Sequence, residues 1–276
     1  MKNRRSVLFG VQLAFTLAVC AFLIVPVVLS MLAGVTANYF VGLSSGLTWR
    51  WLAEVWNGYR DTLFLSIGIA LTTLACCLVL GVPAAYALAR LRNRWTRLVE
   101  ELLVLPIAIP GLATALGLIT TYGGVGEFRS SWTFILVGHV LFTLPFMVRS
   151  VLAVLGAIDL PTLEEGAASL GAGFWRRFID VVLPNCRQGI VAGALMVVTL
   201  SMGEFNMTWL LHTPLTKTLP VGLADAYASL RLEVGSAYTL IFFAMIVPLL
   251  LAMQYVTRPR QRRHVAPASA QISETH

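Results

Sequence analysis

Leu163-Glu164-Glu165-Gly166-Ala167-Ala168-Ser169-Leu170-Gly171-Ala172-Gly173-Phe174-Trp175, continued as Arg176-Arg177-Phe178-Ile179-Asp180-Val181-Val182-Leu183-Pro184, is a long polar and amphipathic interruption between two apolar runs. Pro161 suits a first helical turn, Asp159 can cap it from outside, and Glu164 and Glu165 put negative charge near the positive end of the helix dipole. A helix is expected to start here. Gly171 can take the left-handed conformation that closes a helix, and Gly173 lets the backbone turn again before a helical pattern resumes at Phe174. In that second piece Phe174, Phe178, Ile179 and Val182 recur at helical spacing with Arg176, Arg177 and Asp180 between them. The spacing predicts helix, sharp bend, helix, with one face apolar and the other charged. An exposed apolar face beside a membrane needs lipid headgroups or a protein against it. Glycines at fixed offsets, the paired glutamates and the closing Leu183-Pro184 are more than lipid binding requires.

Outward from this stretch the chain is membrane-like. Of 276 residues, 58% are hydrophobic and 12% charged, and the mean hydropathy is +0.80; soluble domains carry about a quarter charged residues. Six runs are long enough for the ~20 apolar residues that cross a bilayer core: 7–32, 62–89, 98–122, 131–155, 189–211 and 237–256. The fold class expected is an all-α membrane protein with six transmembrane helices. The first run is too long for the apolar part of a cleaved signal peptide. Pro106, Pro110 and Gly111 should break the third span, Pro145 the fourth and Pro248 the sixth. Such breaks survive in lipid where neighbouring protein satisfies the freed backbone groups.

The net charge of +7 is not pooled into a nucleic-acid-binding patch; the basic residues sit at the ends of apolar runs. Arg50, Arg60, Arg129, Lys217 and Arg231 fall on one side of the six spans, and the other fifteen of the twenty Lys and Arg on the opposite side. The asymmetry places both termini and the Glu165 loop in the cytoplasm. Segments 35–61, 123–130 and 212–236 are then external, the first anchored at the interface by Trp51, Trp56 and Tyr59. The two prolines of Thr213-Pro214-Leu215-Thr216-Lys217-Thr218-Leu219-Pro220 favour a stiff, extended external loop. The tail, 257–276, is expected to be disordered.

No phosphate-binding loop ending in Lys-Ser or Lys-Thr is present, nor a Ser-centred nucleophile elbow. Cys20, Cys76, Cys77 and Cys186 imply no disulfide framework, and His139, His212, His264 and His276 are too scattered for a metal site. Neither cofactor nor enzymatic activity is expected. One carboxylate, Glu204, is expected well inside a span, in the outer half of the fifth helix within Ser201-Met202-Gly203-Glu204-Phe205-Asn206-Met207-Thr208. A charge at that depth marks a pathway or a polar contact between helices. Glu204, Asn206 and Thr208 are the candidate pathway residues.

The interruption resembles the Glu-Ala-Ala loop of ABC-importer membrane subunits: Glu165-Gly166-Ala167, Gly171, Val181 and Leu183-Pro184 match its pattern. Gly166 replaces the first Ala, at a propensity cost of about 1 kcal/mol. The resemblance implies a type I ABC-importer permease fold over 61–256, preceded by an N-terminal helix and external segment, 1–60. The loop 156–187 would couple the chain to its ATPase partners through Glu164, Glu165, Gly166, Ala167, Gly171, Phe174, Leu183 and Pro184. It further implies a bacterial inner-membrane assembly of two ATPase subunits, a second permease similar to this one rather than identical, and an extracytoplasmic solute-binding protein. Gly203-Glu204-Phe205 and Thr218-Leu219-Pro220 look like the branch serving polyamines, ferric iron, aminoethylphosphonate, molybdate and sulfate. The length of 206–227 favours a polyamine, then iron or the phosphonate. An ion-coupled secondary transporter, the rival, would call for acidic or histidine relays and half-chain repeats within the spans.

Overall fold

Every long apolar run becomes helix, since a backbone in lipid must satisfy its own hydrogen bonds. The computed structural model describes residues 2–91 and 93–257. Its long helices are α1 (Lys2–Ala33), α2 (Arg50–Leu91), α6 (Trp132–Gly156), α9 (Leu183–Gly203) and α12 (Leu232–Thr257). The shorter ones are α3 (Arg94–Leu102), α4 (Leu105–Ala108), α5 (Gly111–Tyr122), α7 (Leu160–Ser169), α8 (Phe174–Arg176), α10 (Asn206–Leu211) and α11 (Leu219–Ala228). Among the described residues five helices are long and apolar enough to cross a membrane, or six if the bent pair of 94–108 and α5 counts as one span. The tail beyond Thr257 lies outside the described residues.

The third span is broken as its prolines require: 94–108 and α5 meet at 100°. The 12 residues of α5 reach only about 18 Å, well short of the bilayer core. At Pro145 and Pro248 the expected breaks do not occur, and α6 and α12 run through both. One missing N–H is tolerated inside a helix whose neighbouring turns remain bonded and packed. The fifth span also differs from expectation. It ends at Gly203, eight residues early, and its helix begins at Phe174, so one continuous helix of 30 residues includes the second half of the loop. The 213–220 stretch is not an extended loop throughout, because Pro220 sits in the first turn of α11, where a proline needs no N–H.

The core is the contact of α2, α6 and α9. Gly189 and Gly193 bring α9 so close to α6 that a Cβ at Gly189 would lie 2.5 Å from the Ser150 carbonyl oxygen, and one at Gly193 2.7 Å from Met147 Sδ. Small residues permit this approach where lipid offers no hydrophobic driving force. Cys77, Tyr86, Met147, Val151, Leu155, Leu160, Val182 and Cys186 pack into one buried cluster there. At the end of the bundle that carries α11 the Arg231 guanidinium bonds Glu54 and the Tyr59 hydroxyl, and Lys217 pairs with Asp225. The α1 segment Leu8–Ala33 is unburied along its most apolar window and joins the bundle at its C-terminal end, where Gly34 abuts Ala237.

Gly189→Ala should force the α6–α9 pair apart against backbone, costing about 1–3 kcal/mol as overpacking does. The check is the melting temperature in detergent, where a value equal to the parent's would contradict the packing described.

Candidate functional site

Helix, bend and helix follow one another in the amphipathic interruption as the sequence indicates, and two backbone hydrogen bonds close the turn. Asp159 caps α7, its carboxylate accepting from the Thr162 hydroxyl at 2.6 Å and, more distantly, from the Thr162 N–H at 3.5 Å. At the other end Gly171 has φ +80, a conformation that strains any residue with a Cβ. Its N–H reaches Ala168 O at 2.9 Å, and the Ala172 N–H reaches Ala167 O at 3.0 Å. These two bonds are the reciprocal pair of a Schellman closure. Gly173, by contrast, has an ordinary φ of −69, so the bend uses the freedom of one glycine and not two.

The paired glutamates face opposite ways. Glu165, Gly166, Ser169 and Leu170 are exposed, Leu170 at 89%, and Ala167 is half-buried. Glu164 is 6% exposed. Its Oε1 accepts from the Tyr86 hydroxyl and its Oε2 lies 3.5 Å from Arg90 Nε. Glu164 therefore ties α7 to the end of α2 and offers nothing to an outside partner, while Glu165 is the acid on the free surface. Phe174, 45% exposed, stacks beside Tyr86 with ring centres 6.2 Å apart, and Phe178 does so at 5.3 Å. Tyr86 and Arg90 gave no signal in the sequence, because a tyrosine and an arginine ending an apolar helix read as ordinary interface anchors.

Leu183-Pro184 does not close the second helix, as the sequence suggested. Residues Arg177–Val182 form a π-helical stretch leading directly into α9. A wider turn before Pro184 relieves the clash of its ring with the preceding turn, and Asn185 Nδ2 donates to Val181 O at 2.7 Å. Helix and loop are thereby mechanically one piece, from Phe174 to Gly203.

At the far end of that piece stands Glu204, in the break between α9 and α10 rather than inside a helix (φ −71, ψ 118). Its Oε1 accepts from Met207 N at 2.9 Å, and its Oε2 accepts from Thr208 N at 2.9 Å and Thr208 Oγ1 at 2.8 Å. The carboxylate thus caps α10 at the positive end of its dipole. A Cβ on Gly111, the first residue of α5, would lie 3.5 Å from Glu204 Oε1, so the two broken spans meet at this side chain. Asn206 is exposed and Thr208 completely buried. His139, on α6, completes the cluster: Nδ1 lies 2.8 Å from Ser201 Oγ and Nε2 2.8 Å from Thr208 Oγ1. Since the Thr208 hydroxyl donates its proton to Glu204, Nε2 must donate to Thr208, and in a neutral ring Nδ1 then accepts from Ser201. A neutral imidazole satisfies both. His139 belongs to a site that scanning for metal-ligand spacing passes over; its position as an ionisable residue inside a span was the available signal. Among the described residues no cluster of His, Cys, Asp or Glu could hold a metal ion.

Glu204→Ala should strip α10 of its cap and Thr208 of its acceptor, lowering stability by about 1–3 kcal/mol. His139→Ala should add less in the Glu204→Ala background than in the parent, since both act through Thr208. Thermal unfolding of the two single variants and the double variant checks this, and strict additivity would show the chain of bonds to be inert.

The comparisons with known proteins agree with this geometry. The sulfate transport system permease protein CysW of Synechocystis sp. is 29% identical over 226 residues, covering 76% of this chain and 80% of that protein. The putative 2-aminoethylphosphonate transport system permease protein PhnV of Salmonella typhimurium is 26% identical over 82% of this chain and 81% of its own. The spermidine/putrescine transport system permease protein PotB of Escherichia coli is 33% identical over 54% of this chain and 60% of its own. In fold, the chain is similar to a crystal structure of a bacterial ABC transporter that imports the acidic polysaccharide alginate. The TM-score there is 0.70 at 15% identity, over 94% of this chain and 98% of that one. Residues 78–263 match the family model described as "Binding-protein-dependent transport system inner membrane component". With its bent third span, loop and broken fifth span, the chain belongs to that family: it is a permease subunit of a binding-protein-dependent ABC importer.

Proposed function

We propose that the chain forms half of a solute path whose opening is driven by ATPase subunits docked on the exposed face of α7, around Glu165 and Leu170, with a second, similar permease forming the other half. One observation carries this reading: the helix Phe174–Gly203 is continuous from the docking loop to the Glu204 break. Its 30 residues span about 45 Å, so displacement of the loop moves the place where α9, α10 and α5 meet. The Glu164–Tyr86–Arg90 contact carries the same displacement into α2. ATP-driven closure beneath the membrane then becomes a change of access across it. The loop and both termini are on the cytoplasmic side of a bacterial inner membrane, and a solute-binding protein delivers cargo from outside.

The cargo is a small charged solute. A polyamine is the first choice on the length of 206–227, followed by ferric iron or aminoethylphosphonate, then molybdate or sulfate. The geometry adds a restriction. Three donors already serve Glu204, so its charge is compensated from within and supplies no open anionic site to a polycation.

Gly171→Val places a β-branched residue at φ +80 and should reshape the docking face without disturbing the spans. Membrane abundance is expected to stay at the parent level while uptake and ATPase co-purification fall at least about tenfold, equivalent to ~1.4 kcal/mol. Labelled spermidine uptake, competed by sulfate and aminoethylphosphonate, reads transport and cargo together; parental uptake would refute coupling through this turn. For orientation, single cysteines at Ser44 and Thr216 in a cysteine-free background should react with an impermeant thiol reagent on intact cells, and one at Ser169 should not. Labelling at Ser169 would reverse the topology.

A further inference from the structure

Between α11 and the start of α12 lies a pocket of about 400 Å³, its wall including Tyr59, Lys217, Gly222, Asp225, Arg231 and Tyr238. Small-molecule sites measure ~300–1,000 Å³. Both cations of the wall are paired, Lys217 with Asp225 and Arg231 with Glu54. The four charged side chains keep between 31% and 41% of their surface exposed, so a solute can reach them.

The pairs leave bonding capacity unused. Lys217 engages Asp225 through Oδ2, and Oδ1 has no donor among the described residues. The Tyr59 hydroxyl accepts from Arg231 Nη1 at 2.9 Å, and its own proton has no acceptor among them. Tyr238, its ring 5.6 Å from that of Tyr59, is 1% exposed, yet its hydroxyl has no hydrogen-bond partner. That oxygen ends beside Gly222, where a Cβ would lie 3.1 Å from it, so the glycine keeps the hydroxyl clear on the side of the wall. A buried hydroxyl without a partner is destabilising and calls for an acceptor or donor from elsewhere.

The charges of the wall select what can supply it. A solute that is only an anion draws Lys217 and Arg231 away from half-buried carboxylates, and a polycation does the reverse to the two bases. A molecule carrying one ammonium and one acid group enters without leaving a charge unpaired. Its acid group accepts from Lys217 and from the Tyr59 and Tyr238 hydroxyls, and its ammonium donates to Asp225.

We propose that this pocket is a binding site for a small zwitterion inserted between Lys217 and Asp225, with Tyr238 as the donor at its floor. Of the solutes named above, an aminoalkylphosphonate has that chemistry. That the site serves cargo rests on the solute path proposed above; binding itself does not.

The test uses the assembled transporter, with its ATPase subunits and partner permease but without the solute-binding protein, in nanodiscs with ADP filling the ATPase sites. Calorimetric titration with 2-aminoethylphosphonate should show binding that sulfate or spermidine at equal concentration does not displace. Tyr238→Phe keeps the ring and removes the unpartnered hydroxyl. Affinity should fall about tenfold, the scale of one hydrogen bond to a charged group, while the melting temperature without added solute stays at or above the parent's. Asp225→Asn should lower affinity at least as far and let sulfate compete. No binding to the parent, displacement by sulfate or spermidine as ready as by 2-aminoethylphosphonate itself, or parental affinity in Tyr238→Phe would each overturn the proposal. Binding with these variant effects but without uptake of 2-aminoethylphosphonate upholds the site and refutes its service to cargo.

Discussion

The carboxylate of Glu164 is the contact on which the rest depends. A buried charge at a helix junction is stable only if its partners are in place, and here they are the Tyr86 hydroxyl and the Arg90 guanidinium, one turn apart on α2. That requirement fixes how α7 is rotated. With Glu164 turned inward, Glu165, Gly166, Ser169 and Leu170 point outward, and an exposed face is created by the burial of its neighbour. The exposed face of α7 and the spans are joined by a polar contact that tolerates little slack, whereas an apolar contact could slide.

The same logic governs the other end of the long helix. A span that stops short leaves carbonyl and N–H groups in a region without water. Glu204 supplies acceptors to the start of α10, and Arg129 donates to Leu211 O at 2.8 Å and Leu210 O at 3.2 Å at its end. A helix of six residues is thus held by a negative charge at its positive end and a positive charge at its negative end. His139 and Ser201 fasten the arrangement to α6 and α9. Two breaks, in the third and fifth spans, meet at one compensated carboxylate beside Gly111, which serves the N–H groups that the second break would otherwise leave free.

Between these ends lies a rigid middle. The glycine contacts of α9 on α6 bring two helices to backbone distance, and tightly packed interiors transmit displacement instead of absorbing it. The π-helical stretch Arg177–Val182 preserves continuity past Pro184 where a kink would have uncoupled loop from span.

The sequence by itself determined whatever depends on local pattern and composition. Apolar runs of bilayer length gave the spans, Asp159, Pro161 and Gly171 bounded the loop helix, and the prolines at 106 and 110 with Gly111 marked the break in the third span, because capping, φ preference and lipid insertion act over a few neighbouring residues. Tertiary structure decided everything requiring a partner distant in the chain. Glu164 and Glu165 are adjacent and chemically alike, yet one is buried because Tyr86 and Arg90 reach it from 78 and 74 positions away. Pro145 and Pro248 resemble Pro106 and Pro110 in sequence but leave their helices whole. Glu204 could be read as a pathway charge or as a contact between helices, and only the fold brings His139, Ser201 and Thr208 around it. The physical reason is common to all three: the fate of a polar group in a membrane depends on which donor or acceptor is within hydrogen-bond reach, and three-dimensional packing sets that distance.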